Sequence, residues 1–364
     1  MTRAKRVVAA MRAKGLEAMV ITHPADVRWV SGFTGSNAAV ALMGGRRRLF
    51  TDGRYTAQAK EEVQGLSVTI AKKPVAQEAC AWLEKAGAKL CGFDAAVTSV
   101  AALEAMKQAV SGKVRRGFFR AVSGMVVRLR EVKDTDEAET MRQAALLGCR
   151  VYDEMLGVIE AGMTEIEVAA ELEYRARRAG AEAMSFETIV ASGVRGGLPH
   201  GKASGKRLAR GEMVTLDFGV ILGGYCSDMT RTVYLSRSAR FSHVEAEQKK
   251  TFDAVLEAQI RAVSAVRSGV SCAEVDEAAR EVLRTAGLEK EFSHSTGHGV
   301  GLEIHEGPRV GAKQAQKLES GMVITIEPGV YLAGKYGVRI EDTVLVTEAG
   351  CEVLTPSVKS WMEL

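Results

Sequence analysis

Two stretches, GMTEIEVAAELEYRARRAG (162–180) and GVSCAEVDEAAREVLRTAG (269–287), have the same length and agree at Gly162/Gly269, Thr164/Ser271, Glu167/Glu274, Val168/Val275, Ala179/Ala286 and Gly180/Gly287. Each reads as a helix that opens on a Ser/Thr cap with Glu three residues on and stops at glycine. Helix punctuation alone produces some such agreement, because many helices share these signals. The strands that follow weaken that explanation. GEMVTLDFGV (211–220) aligns without gaps on GMVITIEPGV (321–330), matching Gly211/Gly321, Thr215/Thr325, Gly219/Gly329 and Val220/Val330 and setting Asp217 opposite Glu327. YCSDMTRTVYL (225–235) then aligns on YGVRIEDTVLV (336–346) through Tyr225/Tyr336, Thr232/Thr343 and Val233/Val344. Asp228 falls opposite Arg339, two residues from Glu341, and two residues is one full strand period, which keeps the carboxylates on one face. The second part of the chain is therefore expected to fold as two similar halves, each with helices and an antiparallel strand pair, and each bringing two acids to one surface.

The first 120 residues follow another rhythm. Short apolar strands (18–22, 38–43, 48–51, 66–71 and 89–93) alternate with helical stretches near 54–63, 76–86 and 99–110, which predicts a small α/β domain. The second part opens on DTDEAETMRQ, where Asp134 and Glu137 have capping-box spacing. We place the boundary at 124/125, giving domains 1–124 and 125–364 in a chain of α/β (α+β) class. Charge breaks nearby: Lys and Arg against Asp and Glu number 22 to 9 over residues 1–130 and 27 to 36 over 131–364, that is +13 and −9. The basic residues Arg46, Arg47, Arg48, Lys113, Arg115 and Arg116 lack interleaved aromatics and fit no nucleic-acid motif, so no nucleic-acid partner is expected. A basic domain lying against an acidic one, within a chain or across a dimer, accounts for the split as well.

The start, MTRAKRVVAAMRAKG, is too broken by charge for a secretory apolar segment. No stretch approaches the roughly 20 apolar residues of a membrane span, so a cytoplasmic protein without a membrane partner is expected. Cys80, Cys91, Cys149, Cys226, Cys272 and Cys351 form no C-x-x-C and read as buried reduced thiols.

An acid inside an apolar strand such as VTLDF or ITIEP is costly to bury unless it is paired, hydrogen bonded or bound to metal. For one such acid a satisfied structural carboxylate is the better reading. Four at pseudo-equivalent places repel one another, and the strands suggest no buried cationic cluster to relieve them, so divalent metal becomes the natural solution. Four carboxylates and one imidazole exceed a single tetrahedral zinc and suit two harder ions such as manganese, at the roughly 3.5 to 4 Å spacing of metal-assisted hydrolysis.

HSTGHGVGLEIHEGP (294–308) holds three of the six histidines. Their spacing is not that of H-E-x-x-H. His298, in TGHG, has flanking glycines that let the backbone approach a metal or substrate closely. His305 pairs with His200 when GLEIH (301–305) is set on GLPH (197–200) with one insertion. Two histidines beside a dimetal centre suit substrate binding and proton transfer at neutral pH. His23 and His243 read as ordinary surface or core histidines.

In LPHG, LDFG, SDMTRT, TGHGVGLEIHE, IEPGVY and GVRIEDT, in that order, the chain resembles the dinuclear "pita-bread" metallopeptidases: methionine aminopeptidase, aminopeptidase P, prolidase and the metal-free creatinase. DVRWVSGFTGSN and LFTDGRYTAQA are similar to the creatinase-type N-terminal domain of proline-specific members, which methionine aminopeptidases usually lack. The resemblance covers nearly the whole chain. It implies two divalent ions, manganese favoured over cobalt or zinc, held by Asp217, Asp228, His298, Glu327 and Glu341, with Asp228 and Glu341 bridging. It implies Glu327 as the proton-accepting acid, His200 and His305 at the substrate, Arg339 bracing the carboxylates and His294 near the pocket. The activity implied is hydrolysis of the Xaa-Pro bond in a di- or oligopeptide by a homodimer. HEGPR is similar to prolidases, where the arginine serves the proline carboxylate. That makes Arg309 its candidate and tips the expectation to Xaa-Pro dipeptidase over Xaa-Pro aminopeptidase. A non-catalytic peptide-binding module is the distant alternative, since no ligand is missing. The N-terminal domain of one subunit is expected to reach the other's site through Arg28, Trp29 or Phe33.

Overall fold

The computed structural model describes residues 1–236 and 243–364, without the side chains of 113–115, 243 and 244. Lys113, Arg115 and the His243 ring thus lie outside the described residues. Contacts divide the chain into two compact units, Met1–Arg130 and Glu131–Leu364.

In the first unit six strands form one sheet: β1 (Ala18–Ile21), β2 (Ala38–Met43), β3 (Arg46–Thr51), β4 (Ser67–Ile70), β5 (Cys91–Asp94) and β6 (Phe119–Val122), ordered β4-β3-β2-β1-β5-β6. The first five are the expected strands, β2 with the expected ends and the other four with shifted ones. β6 has no expected counterpart, because FRAV follows a basic run and shows no apolar alternation. Helices Val75–Lys85 and Val100–Gln108 lie close to their expected spans, and the sheet buries Val20, Ala39, Ala41 and Phe50 against Val75, Ala79 and Leu83. Helix Met125–Glu131 belongs mainly to this unit. Arg130 Nη1 donates to Asp26 Oδ1 at 2.6 Å with both side chains 1% exposed, so the division falls near the end of this helix rather than before it. One expectation is corrected here. Trp29 and Phe33 are each 1% exposed: the apolar face of helix Pro24–Ser31 turns Trp29 inward, where its ring packs with Arg3 and Arg6, and Phe33, just past the helix, packs edge-on against Tyr55. They cannot project to another subunit's site.

The second unit realises the repeat bond by bond. Helices Glu165–Arg178 and Cys272–Thr285 each carry a full capping box, from Thr164 with Glu167 and from Ser271 with Glu274. Ahead of each helix the chain docks on a matching segment: Gly162 N to Leu208 O and Gly269 N to Leu318 O, then Glu165 N to Lys206 O and Cys272 N to Gln316 O. In the first half follow β7 (Ala183–Met184), β8 (Ile189–Ser192), β9 (Met213–Phe218), β10 (Val220–Leu222), β11 (Tyr225–Cys226) and β12 (Met229–Tyr234). In the second come β13 (Gly297–Gly299), β14 (Glu306–Val310), β15 (Val323–Ile326), β16 (Gly329–Leu332), β17 (Tyr336–Arg339), β18 (Asp342–Val346) and β19 (Cys351–Val353). β9 pairs antiparallel with β12 as β15 does with β18. Two apolar clusters form, one around Leu172, Leu216 and Phe218, the other around Leu283, Ile324 and Val344, which also takes in Met213 and Tyr234 of the first half.

Only Asp217 lies within a strand. Asp228, Glu327 and Glu341 sit where one strand has ended and the next has not begun. The period-two argument from Arg339 to Glu341 therefore spans a break between β17 and β18. These acids converge because strand ends converge, and not because one strand presents them on a face.

Candidate metal centre

His298 occupies the middle of β13, and its neighbours show why glycine flanks it. A Cβ on Gly297 would lie 1.9 Å from the Thr325 carbonyl oxygen, and one on Gly299 2.0 Å from that of Gly307. Neighbouring segments of the chain press on the backbone from both sides and so fix where the imidazole starts. Burial pushes the His298 pKa down to about 4, so the ring is neutral at pH 7. Its Nδ1 faces the Gly299 carbonyl at 2.9 Å and must carry the proton there, which leaves the Nε2 lone pair 3.6 Å from Asp228 Oδ2 and 3.5 Å from Glu327 Oε1. This is how a ligating histidine is oriented.

Ligand atoms of Asp228, His298 and Glu341 all lie within 4.8 Å of one another. Burial, reinforced by Glu341 and Asp217, pushes the Asp228 carboxyl well above the usual range, and burial with Glu327 and Asp217 does the same to Glu341. Glu327 is pushed up to about 8, chiefly by burial, with Arg339 opposing. Threonines hold two of these acids. Thr230 Oγ1 donates to Glu341 Oε2 at 2.7 Å, and Thr325 Oγ1 donates to Glu327 Oε1 at 3.1 Å.

The expectation that these strands offer no buried cationic cluster is corrected. Arg231 and Arg339 are both buried. Arg231 is committed to Asp342 at 2.8 Å and to the carbonyls of Thr355 and Ser357. Arg339 donates from Nη2 to Asp217 Oδ2 at 2.5 Å, from Nε to Thr230 Oγ1 at 3.1 Å, and from Nη1 to the Pro199 carbonyl and the Tyr331 hydroxyl at 3.0 and 2.8 Å. Four acids against this one arginine still leave an excess of three carboxylates. Asp217 Oδ1 is buried without a hydrogen-bond partner. The oxygen-rich donor set, the neutral imidazole and this unsatisfied oxygen all fit a divalent cation.

The acids open onto a cleft of about 590 Å³ that His200, His294, His298, His305, Arg309 and Tyr331 also line. All the site residues named from the sequence are thus brought to one cavity. The rings of His298 and His305 lie 4.4 Å apart. Arg309 stands opposite His298 in the β13–β14 register, so the two side chains share a face. Lys202, another lining cation, pairs with Glu187 at 2.6 Å, whereas among the described residues Arg309 has no acidic partner. His294 shares the lowered pKa of His298 but not its open Nε2. Burial pushes its pKa down to about 4, Nδ1 donates to the Ser295 carbonyl at 2.8 Å, and Nε2 accepts from the Tyr331 hydroxyl at 2.8 Å. Both nitrogens are engaged within the protein.

Sequence reasoning assigned no role to Tyr331, Thr230, Thr325 or Asp276. Tyr331 ends the quoted IEPGVY, four residues past Glu327, and that proximity was its one signal. Asp276 accepts from Thr296 N and Oγ1 at 3.1 and 2.8 Å, and Glu327 N donates to the Thr296 carbonyl at 2.7 Å. A helix in the repeat thereby anchors the segment leading into His298.

Among the described residues no helix is long and apolar enough to cross a membrane. The model of metallopeptidase family M24 matches residues 139–348, and that of the creatinase/prolidase N-terminal domain matches 3–132. The Xaa-Pro dipeptidase of Pyrococcus horikoshii is 34% identical over 352 residues, 96% of this chain and 96% of that protein. Among solved structures, an Xaa-Pro dipeptidase from Bacillus anthracis superimposes with a TM-score of 0.94 at 36% identity, covering 100% of this chain and 99% of the other. An X-Pro aminopeptidase from Thermotoga maritima gives 0.88 at 37% identity, covering 98% and 100%.

Proposed function

The chain belongs to metallopeptidase family M24, with a creatinase/prolidase N-terminal domain, and from that premise we propose that it hydrolyses the Xaa-Pro bond and prefers dipeptides. Relatives of similar likeness carry both the dipeptidase and the aminopeptidase name, so the preference rests on Arg309. A guanidinium with no acidic partner, on the same strand face as His298, is a receptor for a carboxylate that ends the substrate one residue past the scissile bond. In a longer peptide the carboxylate lies further along the chain, away from that position.

In this reading Asp217, Asp228, His298, Glu327 and Glu341 hold two divalent ions. The oxygen-rich set favours manganese. When bound, such ions supply Lewis acidity at the acyl carbon and ready a water for attack. Glu327, at the cleft and 3.5 Å from His298 Nε2, takes the proton of the attacking water and delivers it to the proline nitrogen. His200 and His305, both facing the cleft, hydrogen bond the substrate carbonyl and stabilise the negative charge that grows on its oxygen. Arg339 keeps Asp217 in position, and Tyr331 links that arginine to His294, which shapes the pocket wall. The charges of +13 and −9 on the two units give a homodimer an electrostatic motive, and the free cysteines suit the reducing cytoplasm.

The test is a paired assay of Xaa-Pro and Xaa-Pro-Yaa peptides on enzyme stripped by chelation and reloaded with manganese. Restoration of dipeptide cleavage, with tripeptides much slower, is the expected result. Full activity after rigorous stripping would remove the mechanism, and faster tripeptide cleavage would turn the assignment to aminopeptidase.

A further inference from the structure

The sheet of the N-terminal unit has an unfinished corner. β3 begins at Arg46, but β4 enters register only at Arg48, opposite Ser67. Arg46 and Arg47 therefore have no partner in the edge strand. Gly65, at φ 71°, turns the chain towards β4. A recess of about 770 Å³ remains, lined by Arg46, Arg47, Arg48, Ser67 and Trp82 among others.

Three arginines lining one recess repel one another, and folded proteins usually relieve such a group with acids. No carboxylate lines this recess, and among the described residues none of the three arginines makes an ion pair. The Nε atoms of Arg47 and Arg48 are buried without a hydrogen-bond partner. Arg48 is held over the Trp82 ring, 5.1 Å from its centroid. Trp82 also packs on Phe50, with centroids 6.0 Å apart, so the indole is engaged within the unit rather than offered as a stacking platform.

We infer that this recess binds a compact, phosphate-bearing anion through Arg46, Arg47 and Arg48. Guanidinium forks match phosphate oxygens in pairs, and the recess has the volume of a small-molecule site. The excess of basic residues in the whole unit raises the local concentration of anions. The arginines line one recess at the edge of the sheet, Arg46 and Arg48 on one face of β3 and Arg47 on the other, without a run of stacking aromatics, which favours a small ligand over a nucleic-acid strand.

Calorimetric titration of the full-length, metal-loaded protein with inorganic phosphate and with AMP, at constant ionic strength set by chloride, tests the site. A saturable one-site isotherm is expected. The double variant Arg46→Gln/Arg47→Gln should weaken it roughly tenfold or more while peptide hydrolysis and the melting curve stay unchanged. Equal binding of the two probes identifies free phosphate as the source, and much tighter AMP binding identifies a nucleotide; both support the site. Heat that does not saturate, binding that survives the double variant, or binding lost on chelation instead overturns it. So does an affinity for a short single-stranded oligonucleotide far above that for AMP.

Discussion

Arg339 Nη2 meets Asp217 Oδ2 at 2.5 Å and leaves Asp217 Oδ1 buried with no partner of its own. One oxygen is fixed so that the other is aimed. The same guanidinium spans Thr230, Tyr331 and the Pro199 carbonyl. A lysine, as a point charge on a flexible stem, cannot keep four such contacts. Arg339→Lys is expected to lower metal affinity roughly 10 to 100-fold, read by competition with a chelating dye. Unchanged affinity would deny the arginine this aiming role.

Metal and protons compete for the same acids. In the cation-free protein, burial raises Asp228, Glu341 and Glu327 above their ordinary values, Glu327 from 4.5 to about 8. A folded-state carboxyl pKa above the unfolded one means that the folded state holds more protons between the two values, so stability falls as pH rises through that window. The chelated protein should therefore melt lower at pH 8 than at pH 5.5. Added manganese should raise the midpoint more at pH 8, where fewer protons must be displaced. A chelated midpoint that climbs over this interval would contradict the burial of these groups.

Glu327→Gln keeps the size of the side chain and removes its ability to take a proton. The expected loss in kcat is about 10² to 10⁴-fold, with KM changed far less. Metal content of the purified variant, measured by mass spectrometry, separates this effect from loss of a ligand. If metal is retained and kcat is near wild type, the base lies elsewhere.

Arg309→Ala should act on one end of the substrate. Losing a charge-assisted hydrogen bond costs about 1.5 to 3 kcal/mol, which lowers kcat/KM for Xaa-Pro roughly 10 to 100-fold. Most of that loss should appear in KM, because the carboxylate is bound equally before and during reaction. Cleavage of Xaa-Pro-Yaa should change little. A parallel fall for both substrates would mark Arg309 as a rim residue.

The repeat predicts equal penalties at equivalent caps. Thr164 and Ser271 accept from Glu167 N and Glu274 N in matching boxes. Thr164→Ala and Ser271→Ala should each cost about 0.5 to 2 kcal/mol, measured by denaturant unfolding with metal present. Two effects differing several-fold would show that the halves share a sequence pattern without sharing its energetics.

The residues legible from sequence were those carried by a pattern. Aligning LDFG on IEPG singled out Asp217 and Glu327, and glycine on both sides of His298 reported a close backbone approach that Thr325 and Gly307 make real. Tyr331, Thr230 and Asp276 gave no such signal. Thr230 meets Glu341 across 111 positions of chain, and Asp276 meets Thr296 from a helix whose capping pattern says nothing of its inward face. β6 escaped because basic residues masked its apolar side. Trp29 and Phe33 misled for the opposite reason: large aromatics in a recognised motif suggested contact, and the fold buries both, Trp29 on the inner face of its helix and Phe33 just past the helix end.

The repeat also carries a consequence for how a peptide lies in the cleft. Where the first half supplies Asp228, the second supplies Arg339, a cation that steadies a ligand instead of being one. His298 and Arg309 face each other across β13 and β14, on the second half alone. Two halves kept identical would make a palindrome, and a palindromic cleft accepts a chain from either end. Divergence at these few positions breaks the palindrome, and on the reading proposed above it gives a bound peptide a single direction.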